Sequence, residues 1–253
     1  MVDIEQAFFL SDIPQNTKCF QRLYFGAEFC FWRLPKLTEF FKALHWCHDN
    51  NVNFTLVTPV LLESNRHGLE RLLAEMVPQF GSGDEILISD WGAFEMVRNI
   101  SSNTTIILGR TLSGQKRGPR VGDVELSKDE TDYFQRGNWY GQAAASFLYQ
   151  LQIHRIELDN ILQGLAALPG GLRGSLHLPY AMVTSTRNCP HRDFGDFGPC
   201  SVSCDKVFTL ESAETNVPLL QAGNAQFIEN REIPKNLVGL GIDRVVWHDR
   251  LPR

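Results

Sequence analysis

The stretch Leu23–Val60, LYFGAEFCFWRLPKLTEFFKALHWCHDNNVNFTLVTPV, decides the fold. Leu23-Tyr24-Phe25-Gly26 and Phe54 to Val60 read as strands, rich in branched and aromatic residues. Between them Leu37, Phe40, Phe41, Leu44 and Cys47 recur at i, i+3, i+4, i+7 and i+10. That spacing lays them on one helix face, with Pro35 in the first turn. Strand, helix and strand in this order make a βαβ unit, which sets its strands parallel.

The unit recurs along the chain. Leu69, Leu72, Leu73 and Met76 mark a helix face that ends at Pro78, before a strand over Glu85 to Ser89. A helix over Ala93 to Val97 leads to a strand over Thr104 to Leu108, closed by Gly109. Ala144, Phe147, Leu148 and Leu151 form the next helix face. Further strands are expected over Arg155 to Leu158, Ser175 to Tyr180, Val207 to Leu210 and Ile242 to Trp247, with a short helix over Pro234 to Leu240. Seven or eight such units in 253 residues predict an α/β fold, a single TIM-like (β/α) barrel domain spanning 1–253. Weak helices in the last third make the expected barrel imperfect. Two segments break the pattern, a polar, Gly-rich loop at 113–130 and a cysteine-bearing segment at 188–204 near the barrel mouth.

With 43% hydrophobic residues the chain can bury a large core. The formal net charge of −5 argues against a general grip on nucleic acid. The basic run Lys116-Arg117-Gly118-Pro119-Arg120 reads as a solvated loop before it reads as a phosphate site. The N-terminus carries acids and only a short apolar run, Ala7 to Leu10, which is no secretory signal. No stretch approaches the roughly 18 apolar residues of a membrane span. The expected location is the cytoplasm, where thiols stay reduced and clustered cysteines bind metal or do chemistry.

In such a barrel chemistry sits at the carboxyl ends of the strands. Gly26, Glu28, Thr58, Asp90, Arg110, Glu157, Asp159, His177, Asn224, His248, Asp249 and Arg250 are expected there. Cys189, Cys200 and Cys204 have 10 and 3 residues between them, a loop spacing that suits zinc or an iron–sulfur cluster. A fourth ligand must come from elsewhere, or from His191. Cys47 lies on an apolar helix face, and Cys19 precedes the first strand at the opposite barrel end. Cys30 follows that strand and is carried to the functional end. Cys30, Cys189, Cys200 and Cys204 are thus the expected ligands, for a [4Fe–4S] cluster or an all-cysteine zinc site. His45 and His48 read as surface or core histidines. His177 reads equally as a structural hydrogen-bond partner or a site residue, and His248-Asp249-Arg250 as a charged rim able to hold an anion. No HExxH, GxSxG, P-loop or GxGxxG motif is present.

LYFG followed by Cys30, then HLPYAMVTSTRNC (His177–Cys189), CSVSC (Cys200–Cys204) and the tail NLVGLGIDRVVWHDR (Asn236–Arg250) resemble the peptidase U32 family, and most the UbiV-like, ubiquinone-biosynthesis branch. The likeness runs from about residue 20 to 250 and is weakest across Gln115 to Gly141. It implies a TIM-like barrel and a [4Fe–4S] cluster on Cys30, Cys189, Cys200 and Cys204. It also implies a part in oxygen-independent hydroxylation of a ubiquinone-type ring or related substrate, with a partner of the UbiU type or another U32 chain. Within that reading Arg110 and Arg250 are expected to hold carboxylates, and His177 or Glu157 to move protons. The alternatives are a U32-type peptidase, or a metal-stabilised accessory subunit that docks a catalytic partner. Against proteolysis, the neighbourhoods that carry a cysteine and a glutamate in peptidase-type members read Ala181-Met182 and Leu172-Arg173-Gly174 here.

Overall fold

The computed structural model describes residues 3–14, 20–193, 195–196, 198–201, 204 and 206–252. Cys19 lies outside the described residues. Strands β1 (Glu5–Phe9), β2 (Arg22–Gly26), β3 (Asn53–Val57), β4 (Glu85–Ile88), β5 (Thr105–Leu108), β6 (Arg155–Asp159) and β7 (Arg173–Leu178) run parallel. After an excursion through β8 (Tyr180–Ser185), β9 (Val207–Ser212), β10 (Thr215–Ala222) and β11 (Ala225–Glu229), the chain returns as β12 (Ile242–His248). That strand slots between β7 and β1 and closes an eight-stranded barrel. The outer layer includes α1 (Leu37–Asp49), α2 (Arg66–Met76), α3 (Trp91–Ile100), α4 (Lys128–Gln135) and α5 (Gln142–Gln150).

The helix periods read from the sequence are the buried faces. Phe40, Ala43, Leu44 and Cys47 of α1, and Leu69, Leu72, Leu73 and Met76 of α2, pack on the outside of strands that are buried on both faces. The start of α1 is Leu37, so Pro35 precedes the helix; Lys36 N–H donates to Glu39 Oε2 at 2.8 Å and closes the first turn.

Five strands differ from expectation: β8, β10 and β11 were not foreseen at all, and β1 and β9 differ for reasons that can be read from their burial. The barrel's first strand is β1, which the sequence reading passed over because only Ala7 in it is buried and no alternation shows. The run Val207 to Leu210 forms a strand but not a barrel strand. Every residue of β9 is exposed, and it pairs antiparallel with β10 at one edge of a second sheet, ordered β8-β11-β10-β9. Branched and aromatic composition signals a strand without saying which sheet it joins. The tail helix expected over Pro234 to Leu240 is a single 3₁₀ turn at Val238–Leu240. The expected imperfection has a counterpart at the seam between β5 and β6, which pair only through Leu108 and Ile156. Loop 113–130 and α4 and α5 intervene there.

Side chains fill the barrel in layers. At the amino ends of the strands Arg22 and Arg244 bracket Glu5 and Glu85, with Arg22 Nε to Glu5 Oε1 at 2.9 Å and Arg244 Nε to Glu5 Oε2 at 2.6 Å. Above this plug lie Ala7, Tyr24, Val57, Leu87, Ile107 and Val246. The second sheet has a core of its own, Met182, Ala222, Ala225 and Phe227 packed with Phe29 and Leu251. Among the described residues no helix is long and apolar enough to cross a membrane.

Gly26 ends β2 with φ +140°, and a Cβ there would meet the Val57 carbonyl oxygen at 2.2 Å. Gly26→Ala is expected to destabilise the fold by about 1–3 kcal/mol, through backbone strain and a forced gap between β2 and β3. Urea denaturation of the two proteins measures it.

Candidate functional site

A buried ion network ties the barrel mouth together. Arg110 follows β5 and is fully buried. Its Nη2 donates to Glu28 Oε2 at 2.6 Å, its Nη1 to Asp159 Oδ1 and the Tyr180 carbonyl at 3.1 Å each, and its Nε to both Glu28 oxygens. Asp159 also accepts from Arg117 Nε at 2.8 Å and Met182 N–H at 2.7 Å. Burial alone would raise the Asp159 carboxyl, but the Arg117 and Arg110 charges outweigh it and hold the group below its usual range. Arg110 is therefore clasped by the protein's own carboxylates rather than open to a substrate. Arg117 is likewise no solvated loop residue: it turns inward onto Asp159, and Gln115 beside it donates to the Asp159 carbonyl at 3.0 Å.

The four selected cysteines come together. Cys30, Cys189, Cys200 and Cys204 line one cavity of about 230 Å³, with Phe29, Trp32, Asn65, His191 and Asn224 among its other walls. Cys47 stays in the core. Asn224 lies not at the end of a barrel strand but in the turn between β10 and β11. Its Nδ2 donates to the Phe29 and Thr186 carbonyls at 2.8 Å each, which draws the loop of Cys30 and the segment of Cys189 to one place. Burial raises the Cys30 thiol, and the neighbouring Cys204 and Cys189 push the same way; Cys189 is raised likewise by burial, then by Cys204 and Cys200. Gathered thiols of this kind become thiolates when a cation offsets their mutual repulsion.

Among the described residues no group of three or more His, Cys, Asp or Glu side chains is arranged to hold a single metal ion. The four thiols share the lining of one cavity, and soft sulfur donors of this kind suit zinc or an iron–sulfur cluster. Asn65 Nδ2, His191 Nε2 and Asn224 Oδ1 are buried without a hydrogen-bond partner, and all three residues line this cavity. An unpaired buried polar atom costs about 1–3 kcal/mol, so three at one place mark a cavity shaped for polar or ionic contents.

A second cavity, about 580 Å³, opens at the barrel mouth and shares Trp32 and Arg33 with the first. Phe9, Phe25, Lys42, His248, Asp249 and Arg250 are among its walls. Arg250 is paired with Asp12 at 2.5 Å. His248 was read from the sequence as part of a charged rim, yet its ring turns into the barrel. Its Nε2 lies 2.8 Å from His177 Nδ1, and His177 Nε2 lies 2.6 Å from Glu157 Oε2. Tyr24 donates to Glu157 Oε1 at 3.1 Å and accepts from Arg244 Nη1 at 2.7 Å. The available signal was alternation, since Arg244, Val246 and His248 share the inner face of β12. Of the other expected residues, Thr58 donates to the Leu87 carbonyl and Asp90 caps α3, both structural tasks. His48 pairs with Asp84 at 2.7 Å, and His45 stacks on Phe41.

No family model matches the sequence, and no curated protein matches it. Among solved structures, the U32 peptidase Mk0906 aligns over 100% of this chain and 96% of its own, at 10% identity and a TM-score of 0.52. The chain shares its fold with a U32 peptidase. A putative copper homeostasis protein CutC from Streptococcus agalactiae aligns over 69% of this chain and 87% of its own, at 10% identity and a TM-score of 0.42.

Burial raises Glu157 to about 7, against the pull of Arg244 and Arg155. Burial, then the Arg110 charge, holds His177 and His248 well below 6.5. The two signs oppose each other. The histidines' contribution to stability is present above 6.5 and lost as pH falls, whereas that of Glu157 is present below 4.5 and lost as pH rises through about 7. Glu157→Gln should therefore flatten the fall in melting temperature between about pH 5 and 8 and leave the acid limb in place. Asp159→Asn is expected to cost about 3–5 kcal/mol in denaturant unfolding, because Arg110 and Arg117 lose a buried counter-charge.

Proposed function

We propose that Cys30, Cys189, Cys200 and Cys204 hold a [4Fe–4S] cluster, and that the chain takes part in an oxygen-independent hydroxylation or related modification of a small molecule. The observation that carries this reading is one cavity lined by four thiols, drawn from two distant stretches of the sequence. The fold shared with a U32 peptidase and the UbiV-like sequence resemblance support it. A partner of the UbiU type, or another U32 chain, completes the proposed assembly.

A cluster of this kind supplies one-electron transfer, or a Lewis-acidic iron for an oxygen-bearing ligand. The protein's own residues do the rest. Asn224 holds the two cysteine-bearing segments together, and Phe29 and Trp32 limit solvent. Asn65 and His191 offer polar atoms at the cavity wall. The adjoining mouth cavity receives the substrate, with Lys42 and Arg250 at its rim and His248 at its floor.

Protein purified without air is expected to be brown and to contain about four irons and four sulfides per chain. Cys30→Ala or Cys200→Ala should lower the iron to a small fraction of that value, whereas Cys47→Ala should leave it unchanged. Stoichiometric zinc with no iron, after anaerobic handling with iron supplied, would overturn the reading.

A peptidase is the second reading, favoured by the fold of Mk0906. Its expected signature is peptide cleavage that follows the purified chain and survives removal of metal by a chelator.

A further inference from the structure

The buried column through the barrel has an inner end at Glu157 and an outer end at His248, and His248 lines the mouth cavity. Glu157, His177 and His248 come from three neighbouring strands, β6, β7 and β12, whose register sets Asp159 beside His177 and Val246 beside His177. The two contacts that join them, 2.6 and 2.8 Å, are short enough for a proton to pass along each. Both nitrogens of His177 are used, one toward each neighbour. The Nε2 of His248 is used by His177; among the described residues its Nδ1 has no hydrogen-bond partner, and His248 is among the walls of the mouth cavity.

We infer that Glu157, His177 and His248 form a proton relay that stores a proton inside the barrel and delivers it to a ligand in the mouth cavity. The class of ligand is a small molecule whose oxygen gains basicity as it reacts, such as a leaving-group oxygen or an enolate. The inference stands whether or not the cysteines hold a cluster.

The step balances without any co-reactant. The Glu157 carboxyl O–H bond breaks and a proton passes to His177 Nε2. His177 releases its Nδ1 proton to His248 Nε2, and His248 releases its Nδ1 proton to the ligand oxygen. Each imidazole ends neutral in its other tautomer, Glu157 ends as a carboxylate, and the ligand carries the proton. Proton return from solvent through His248 restores the start. A relay of neutral imidazoles between a carboxyl and a cavity needs no buried cation at rest.

The surrounding charges suit that storage. Glu157 is faced by Tyr24 from β2, Glu85 from β4, Arg155 on its own strand, Ser175 from β7 and Arg244 from β12. His177 is faced by Arg110, Asp159 and Arg244, and His248 by Arg110. Two of these arginines lie near the histidines and disfavour imidazolium, so the proton rests on the carboxyl.

Infrared difference spectra of the full chain test the inference. A carbonyl band of a buried protonated carboxyl, absent in Glu157→Gln, should titrate with a midpoint near the value of about 7. After an upward pH jump the band should decay roughly 10²-fold more slowly in His248→Phe than in the native chain, with its midpoint little changed. His248→Gln, which keeps a hydrogen-bonding side chain but passes no proton, should be slow as well. In the unmodified protein, nitrogen-15 spectra should show His177 and His248 exchanging tautomers as the carboxyl titrates. A Glu157 ionised across the whole range, histidines fixed in one tautomer, or an unchanged decay rate in a folded His248 variant would each overturn it.

Discussion

The structure depends on the pairing of Arg110 with Glu28 and Asp159. All three side chains are fully buried, and the guanidinium bridges three separate pieces of chain. Glu28 stands two residues before Cys30, Asp159 ends β6, and the Tyr180 carbonyl that also accepts from Arg110 begins β8. One cation therefore fixes the loop that carries a cysteine and the sheet that carries the other cysteine-bearing segment. Isolated, such a charge would be very costly to bury. Two carboxylates, a carbonyl and the Phe29 ring 5.3 Å from the guanidinium carbon make it tolerable. The interaction is better understood as fixing geometry than as adding net stability.

A second consequence follows from where the network sits. It lies at the mouth of a barrel whose opposite end is closed by the Arg22–Glu5–Arg244–Glu85 plug. Between the two lies a mostly apolar layer crossed by Tyr24, Glu157 and His177. The low dielectric of that layer makes the carboxyl hold its proton and the imidazoles shed theirs. Arg244 keeps the carboxyl from rising further, so the plug contributes to the chemistry of a group above it.

Much of this was legible in the residues. Periodicity in α1 and α2 identified the helices, and parallel βαβ logic carried Cys30 to the end of the barrel where Cys189, Cys200 and Cys204 are found. What stayed hidden has physical reasons. β1 buries only Ala7, so it lacks the alternation by which strands are read. β9 has strand composition, but pairing partners are long-range facts that composition does not encode. Arg117 sits in a run of basic residues that looks solvated, and only the fold brings Asp159 within 2.8 Å of it. Arg110 was legible as a cation at a strand end, but not as a buried one already neutralised by Glu28, which is 82 residues away.

The two cavities meet at Trp32 and Arg33, within a 3₁₀ turn whose N-cap is Cys30. Cysteine thiols line the cavity on one side of that turn, and the His248 imidazole is a wall of the cavity on the other. The mouth cavity therefore shares Trp32 and Arg33 with the thiol-lined cavity and has His248 among its other walls. The proposed proton path runs through His177 and His248, neither of which lines the thiol cavity. The barrel makes this separation possible because its strands deliver side chains to one end from every direction, while three of the four thiols come from the segment between β8 and β9 and the fourth from the loop after β2.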